Sequence, residues 1–181
     1  MNITVFGGSS PLPGEPAYEQ AYELGRLIGK AGFTVLTGGY IGTMEAVSRG
    51  VAETGGHVIG VTCDEIEAWR PVLPNEWIQE ELRFATLKER MYTLIDKCDV
   101  ALVLPGGIGT VAEFAVMWSQ MQVQVIDPRP LIFIGPEWRN YMDHFFTNFG
   151  AYVPEKYRSL ISFSPDIREA FQLLISHPES K

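Results

Sequence analysis

The chain has 181 residues, 46% hydrophobic and 20% charged, and carries a formal net charge of -8 at pH 7. That length suits one unit with a full core, and the acidic balance argues against a general nucleic-acid binder, which calls for a basic surface. Its two cysteines, Cys63 and Cys98, lack a C-x-x-C spacing and fit a reducing compartment without structural zinc, and its apolar runs are too short to span a bilayer.

In chain order, the apolar stretch Ile3 to Phe6 predicts a first strand. It starts so early that no signal peptide is expected, and the protein is read as cytoplasmic. Gly7-Gly8-Ser9-Ser10 and a proline-rich turn follow. Tyr18 to Lys30 reads as a helix with Tyr18, Ala21, Leu24 and Ile28 near one face, stopped at Ala31-Gly32. Phe33 to Leu36 predicts a second strand. It runs into Thr37-Gly38-Gly39-Tyr40-Ile41-Gly42-Thr43-Met44-Glu45, with a helix from Ala46 to Gly55-Gly56. His57 to Val61 predicts a third strand. Cys63 to Asn75, with three acids, Trp69 and Arg70, reads as a loop and a candidate lid or substrate-selecting segment.

Trp77 to Phe84 predicts a short strand, and Thr86 to Cys98 a helix with Leu87, Met91, Leu94, Ile95 and Cys98 as its apolar stripe. Val100 to Leu104 reads as a buried parallel strand. It enters Pro105-Gly106-Gly107-Ile108-Gly109-Thr110, and the helix beyond places Phe114, Met117, Trp118 and Met121 at i, i+3, i+4 and i+7, most simply as core. Leu131 to Ile134 and Leu160 to Phe163 predict further strands. Trp138 to Phe149 predicts a helix, and Pro165 opens a last one to about Ile175. The βα alternation predicts an α/β fold, one doubly wound parallel sheet with right-handed crossovers, as a single domain over 1–181.

The glycine-rich corners carry the chemistry. A strand that turns through glycines into a helix aims bare backbone N–H groups and the positive helix end at one point, where an anion, most often a phosphate, is favoured. The corners after the second and the Val100–Leu104 strands both contain Gly-Gly, then Gly-Thr, then a glutamate, and both open on the C-terminal edge of the sheet, where ligands of such folds bind. His57, His144 and His177 are scattered without ligand spacing and read as structural or surface residues.

Pro105-Gly106-Gly107-x-Gly109-Thr110-x-x-Glu113 spells P-G-G-x-G-T-x-x-E; Gly38-Gly39-x-x-Gly42-x-Met44 matches a second glycine motif, Gly7-Gly8-Ser9-Ser10 an opening G-S-S loop, and Arg90 an arginine on the helix before the main strand. Together they resemble the LOG family of cytokinin riboside 5'-monophosphate phosphoribohydrolases, long mislabelled as lysine decarboxylases. The resemblance implies a Rossmann-like homodimer that hydrolyses the N-glycosidic bond of a nucleoside 5'-monophosphate to free base and ribose 5-phosphate, without metal or dinucleotide cofactor. It implies Arg90 and Glu113 as the catalytic pair, and Gly8, Ser9, Gly39, Gly42, Thr43, Met44, Gly106, Gly107, Gly109 and Thr110 as substrate-binding residues. Met91 after the arginine, Ala112 before the glutamate and Gly42-Thr43-Met44-Glu45 depart from the best-known members and point to a bacterial-type relative. A non-catalytic nucleotide sensor, or a carrier of a phosphorylated cofactor such as the molybdenum cofactor, is the alternative, since the glycine corners serve it equally well.

Breaking a ribosyl C–N bond builds positive charge on the sugar, which a carboxylate can stabilise. Glu113 is expected in the first helical turn, ionised by the helix end and by Arg90, as a base or charge stabiliser rather than an acid. Thr110-x-x-Glu113 is equally a capping-box pattern, in which the glutamate only caps its own helix. Arg90 has no acid three or four residues away to pair with along the helix. Glu45 reads as a first-turn acid that complements the helix dipole.

Overall fold

The apolar runs become the strands of one parallel sheet: β1 (Asn2–Phe6), β2 (Thr34–Thr37), β3 (His57–Cys63), β4 (Glu80–Phe84), β5 (Val100–Val103), β6 (Leu131–Ile134) and β7 (Ser162–Ser164), in the order β4-β3-β2-β1-β5-β6-β7. Every pairing is parallel. The structure is a computed structural model, and it describes residues 1–176; His177 lies outside the described residues. Helices α1 (Pro16–Lys30), α2 (Thr43–Glu53), α3 (Asp64–Trp69), α4 (Leu87–Asp96), α5 (Ile108–Gln122), α6 (Pro136–Phe149), α7 (Glu155–Arg158) and α8 (Ile167–Ser176) connect or follow the strands.

Strand periodicity divides the core into two layers. Ile3, Val5, Val35 and Leu102 face Leu24 and Ile28 of α1, Val47 of α2 and Leu174 of α8. Their neighbours Phe6, Leu36, Ala101 and Val103 face Leu94 of α4, Phe114 and Met117 of α5 and Trp138 of α6. Helices therefore cover both faces, as continuous apolar strands such as Val100–Val103 require. The result is an α/β, Rossmann-like, doubly wound sheet.

The chain builds outward from β1 to β4, then crosses back to lay β5 on the other side of β1. That reversal makes β1/β5 the topological switch point, where a crevice opens beyond the strands' carboxyl ends. Gly7 follows β1 there and Pro105 lies just beyond β5.

Several elements differ from their sequence reading. Cys63 closes β3 rather than opening a loop, and Asp64–Trp69 is helical. Acids Asp64, Glu65 and Glu67 sit in the first turn of α3, where the helix dipole favours them, and Arg83 pairs with Asp64 and Glu67 at 2.7 Å. Helix α2 starts at Thr43, ahead of the expected Ala46, because Gly42 at φ +76° makes the turn just before it. Asp166, not Pro165, starts α8: its Oδ1 accepts from the backbone N–H of Arg168 (2.8 Å) and Glu169 (3.0 Å).

The chain's capping box belongs to α4, not α5. Thr86 Oγ1 accepts from Glu89 N (3.2 Å), and Glu89 Oε2 accepts from Thr86 N (3.1 Å). Thr86→Ala is expected to cost about 1 kcal/mol, read as a lower urea midpoint at an unchanged m-value. An unchanged midpoint would mean that packing alone fixes the start of α4.

Candidate functional site

Three corners meet at the C-terminal edge of β1, β2 and β5. Gly8 N donates to Pro105 O (3.1 Å), and Gly8 O accepts from Thr43 N (2.9 Å) and Thr43 Oγ1 (3.0 Å). Gly42 packs so closely on the first corner that a Cβ there would stand 2.6 Å from Ser9 Cα. Gly106 abuts Gly8 N and Thr110, whereas nothing lies within 4 Å of where a Cβ would stand on Gly107 or Gly109. Gly107 is the residue just before α5, which carries no side-chain cap. The α5 end thus offers free N–H groups to an anion with no Cβ in the way.

Arg90 and Glu113 lie between these corners and the core. The backbone of α4 turns Arg90 inward, and the residue is 5% exposed. Its Nε donates to Val61 O (2.8 Å), its Nη1 faces Glu113 Oε1 at 3.4 Å, and Tyr40 lies 5.9 Å from its Cζ, ring centroid to carbon. Nη2 reaches the second corner: a Cβ on Gly38 would overlap it and would stand 2.6 Å from Met44 Sδ. Only a glycine leaves room for the arginine at that place.

Glu113 departs from expectation in place and in charge. It is the sixth residue of α5, in the second turn, with a 12% exposed side chain, and it caps nothing. Burial pushes its carboxyl up to about 7, against the opposing pull of Arg90's charge and hydrogen bond. The expectation that its neighbours favour the ionised form is corrected: loss of hydration outweighs the cation, because 3.4 Å is a long contact for a charge-assisted hydrogen bond.

The raised value has a sign for stability. The folded protein keeps a proton that the unfolded chain, with its carboxyl near 4.5, releases earlier. This contribution is fully present below about 4.5 and is lost as pH rises through about 7. Glu113→Gln cannot titrate. The melting temperature of the wild type, relative to that of Glu113→Gln, is expected to fall across this window. A constant difference would place the Glu113 carboxyl at its ordinary value.

Of the other residues singled out by sequence, Gly8, Gly42, Thr43, Gly106 and Thr110 build the meeting point of the corners, and Met44 lies beside Arg90. Gly39 turns away from them: its N–H donates to Thr37 Oγ1 (3.2 Å), and its carbonyl accepts from Asn75 N (2.9 Å) and Asn75 Nδ2 (3.1 Å). Ser9 Oγ accepts from Arg70 Nη1 at 3.3 Å. Glu45 is a first-turn acid of α2 and accepts from Tyr18 OH (3.2 Å). Sequence reasoning passed over Tyr40 and Asn75 as site builders. Tyr40, 1% exposed, accepts from Cys63 N (2.9 Å), and Asn75 ties the second corner to the segment after α3. A tyrosine inside a glycine corner was the available signal.

Among the described residues, no cluster of three or more His, Cys, Asp or Glu could hold a metal ion, and no helix is long and apolar enough to cross a membrane. Comparison with known proteins gives consistent results. The SLOG cluster4 family model matches residues 1–133. A rice (Oryza sativa subsp. japonica) relative, a probable cytokinin riboside 5'-monophosphate phosphoribohydrolase, is 35% identical over 67% of this chain, but the match spans only 50% of that protein. The cytokinin riboside 5'-monophosphate phosphoribohydrolase of Mycobacterium tuberculosis is 29% identical over 77% of this chain and 72% of its own. Among solved structures, the molybdenum cofactor binding protein of Rippkaea orientalis shares the fold, with a TM-score of 0.75 at 21% identity over 97% of this chain and 95% of its own. Motif, fold and the 1–133 match converge: the chain belongs to the SLOG cluster4 family, within the LOG group.

Proposed function

We propose that the protein hydrolyses the N-glycosidic bond of a nucleoside 5'-monophosphate, AMP-like or a cytokinin riboside monophosphate, to free base and ribose 5-phosphate. The observation that carries this reading is the buried Arg90–Glu113 pair, 3.4 Å apart, set against the glycine corners of the β1/β5 switch point. The relatives' phosphoribohydrolase names support it. In this reading the α5 end and Thr110 hold the phosphate. The carboxylate of Glu113 faces the ribose as positive charge builds there. Water adds to the sugar carbon as the C–N bond breaks. A carboxyl poised near 7 takes the water's proton and passes it to the departing base, so the proton balance closes within one group. Arg90, always charged, fixes that carboxyl and steadies the oxygens around it.

The active form is taken as a cytoplasmic homodimer; two buried free thiols suit a reducing compartment. The test is chromatography of bases released from a panel of nucleoside 5'-monophosphates, with the matching nucleosides as controls. Release from the monophosphates alone is the expected result. Binding of a nucleotide or of molybdenum cofactor without any release would favour the carrier reading, which the fold shared with a molybdenum cofactor binding protein also accommodates.

A further inference from the structure

Beyond the Arg90–Glu113 pair, the crevice has a second arginine with unmet hydrogen-bonding capacity. Helix α3 hangs from the end of β3 and buries none of its residues, yet it is firmly tied. Asp64 and Glu67 pair with Arg83, Glu65 accepts from Leu87 N (2.7 Å), and Glu67 lies 3.3 Å from Tyr40 OH. All three acids of α3 are thus engaged inside the protein. Arg70, immediately after α3, has no carboxylate partner among the described residues; its Cζ lies 5.5 Å from the ring centroid of the exposed Trp69, a contact that leaves its N–H groups unmet. Its backbone N–H closes on Ile66 O (2.8 Å), and five residues later Asn75 is pinned to the second corner, so the segment is held at both ends.

The Arg70 guanidinium points back across the edge of the sheet to the first corner. Among the described residues its one side-chain hydrogen bond is a long 3.3 Å contact from Nη1 to Ser9 Oγ. Its Nε is cut off from solvent and has no hydrogen-bond partner among the described residues. Among the described residues no carboxylate forms an ion pair with Arg70, Arg129 or Arg168, whereas Arg26, Arg49, Arg83, Arg90, Arg139 and Arg158 are paired; Arg129 is instead held by the backbone carbonyls of Ile95 and Cys98, and of the three unpaired arginines Arg70 is the one at the first corner. A buried donor left unmade is costly, and a guanidinium fork matches a phosphate oxygen pair. Ser9 follows Gly8, which bonds Pro105 and abuts Gly106. Arg70 therefore stands at the corner that joins directly to the open α5 end.

We propose that Arg70 is a binding residue for the ligand's phosphate, gripping it from the Ser9 side while the α5 end holds it from the other. This rests on the monophosphate reading for the identity of the ligand, but not for the presence of an anion site.

The experiment is calorimetric titration of the full chain with inorganic phosphate and with ribose 5-phosphate, for the wild type, Arg70→Gln and Arg70→Lys. Arg70→Gln is expected to weaken both ligands by about tenfold to a hundredfold, with circular dichroism and melting unchanged. Arg70→Lys is expected to recover part of that loss, as a point charge without the fork. In base release, Arg70→Gln should raise KM and leave kcat nearly unchanged. Equal phosphate affinity in Arg70→Gln and wild type overturns the proposal, as does a wild type that binds neither ligand. Loss of phosphate binding in Arg70→Gln, with no nucleotide ever hydrolysed by the wild type, upholds the anion site and rejects the hydrolase reading instead.

Discussion

Glu113→Gln is expected to lower base release from nucleoside 5'-monophosphates by on the order of 10²–10⁴-fold while the protein stays folded. Glutamine keeps the shape of the carboxyl and offers Arg90 an oxygen at the same 3.4 Å, so α5 and its core residues Phe114 and Met117 need not move. What it cannot do is carry negative charge or exchange a proton. The wild-type rate is expected to rise with pH through about 7, as the Glu113 carboxyl ionises, and then to level off. The residual activity of Glu113→Gln should lack that rise. Wild-type turnover in the variant would take Glu113 out of the mechanism. A flat wild-type profile would leave it a role that does not depend on its charge.

Arg90→Met should be nearly as damaging, by a different route. It removes the donor to Val61 O and the cation whose charge opposes the burial of Glu113. The carboxyl then climbs beyond about 7, and the activity that survives should shift to higher pH. Stability should suffer in the same direction. Breaking a buried ion pair costs about 3–5 kcal/mol when the remaining partner stays charged, but Glu113 can escape that cost by taking a proton. The destabilisation is therefore expected to be largest above pH 7 and smaller in acid, measured as urea midpoints at several pH values. Arg90→Lys should not rescue activity. One ammonium cannot hold Val61 O, face Glu113 and reach the Gly38 corner at once, as the guanidinium does. Unchanged rate and unchanged pH midpoint in Arg90→Met would reduce Arg90 to a packing residue.

The pairing of Arg90 with Glu113 shows where local reasoning stops. In sequence, Thr110-x-x-Glu113 fits a capping box as well as Thr86-x-x-Glu89 does. Both have the spacing, and the spacing says nothing about which helix starts where. In the fold, α4 begins just after Thr86, so its box closes. By contrast, α5 begins at Ile108, two residues before Thr110, which carries Glu113 into the second turn and toward Arg90. The same limit applies to charge. Neighbouring dipoles and cations can be guessed from the chain, but the loss of water around Glu113 depends on α4, α5 and the glycine corners closing around it, and that loss sets the direction of its pKa.

The segment after β3 failed for a related reason. The segment with its three acids read as a loop and candidate lid, yet Arg83 and the backbone of Leu87 gather those acids into α3 from sixteen to twenty-two residues away. Contacts at that separation leave no local period to read.

By itself the sequence determined most strand runs and helix faces, the glycine corners and the family motif, because each rests on short-range periodicity or on backbone freedom at glycine; it missed that Leu87 of the expected α4 stripe is exposed while Arg90 is buried, and that β4 starts at Glu80 rather than Trp77. Only the tertiary structure decided that the corners of β1, β2 and β5 lock together through Gly8, that Arg90 threads past Gly38 to reach Glu113, and that Arg70 returns to Ser9. Those meetings join residues remote in the chain, and strand order and burial, which the whole fold sets, bring them together and fix their charge.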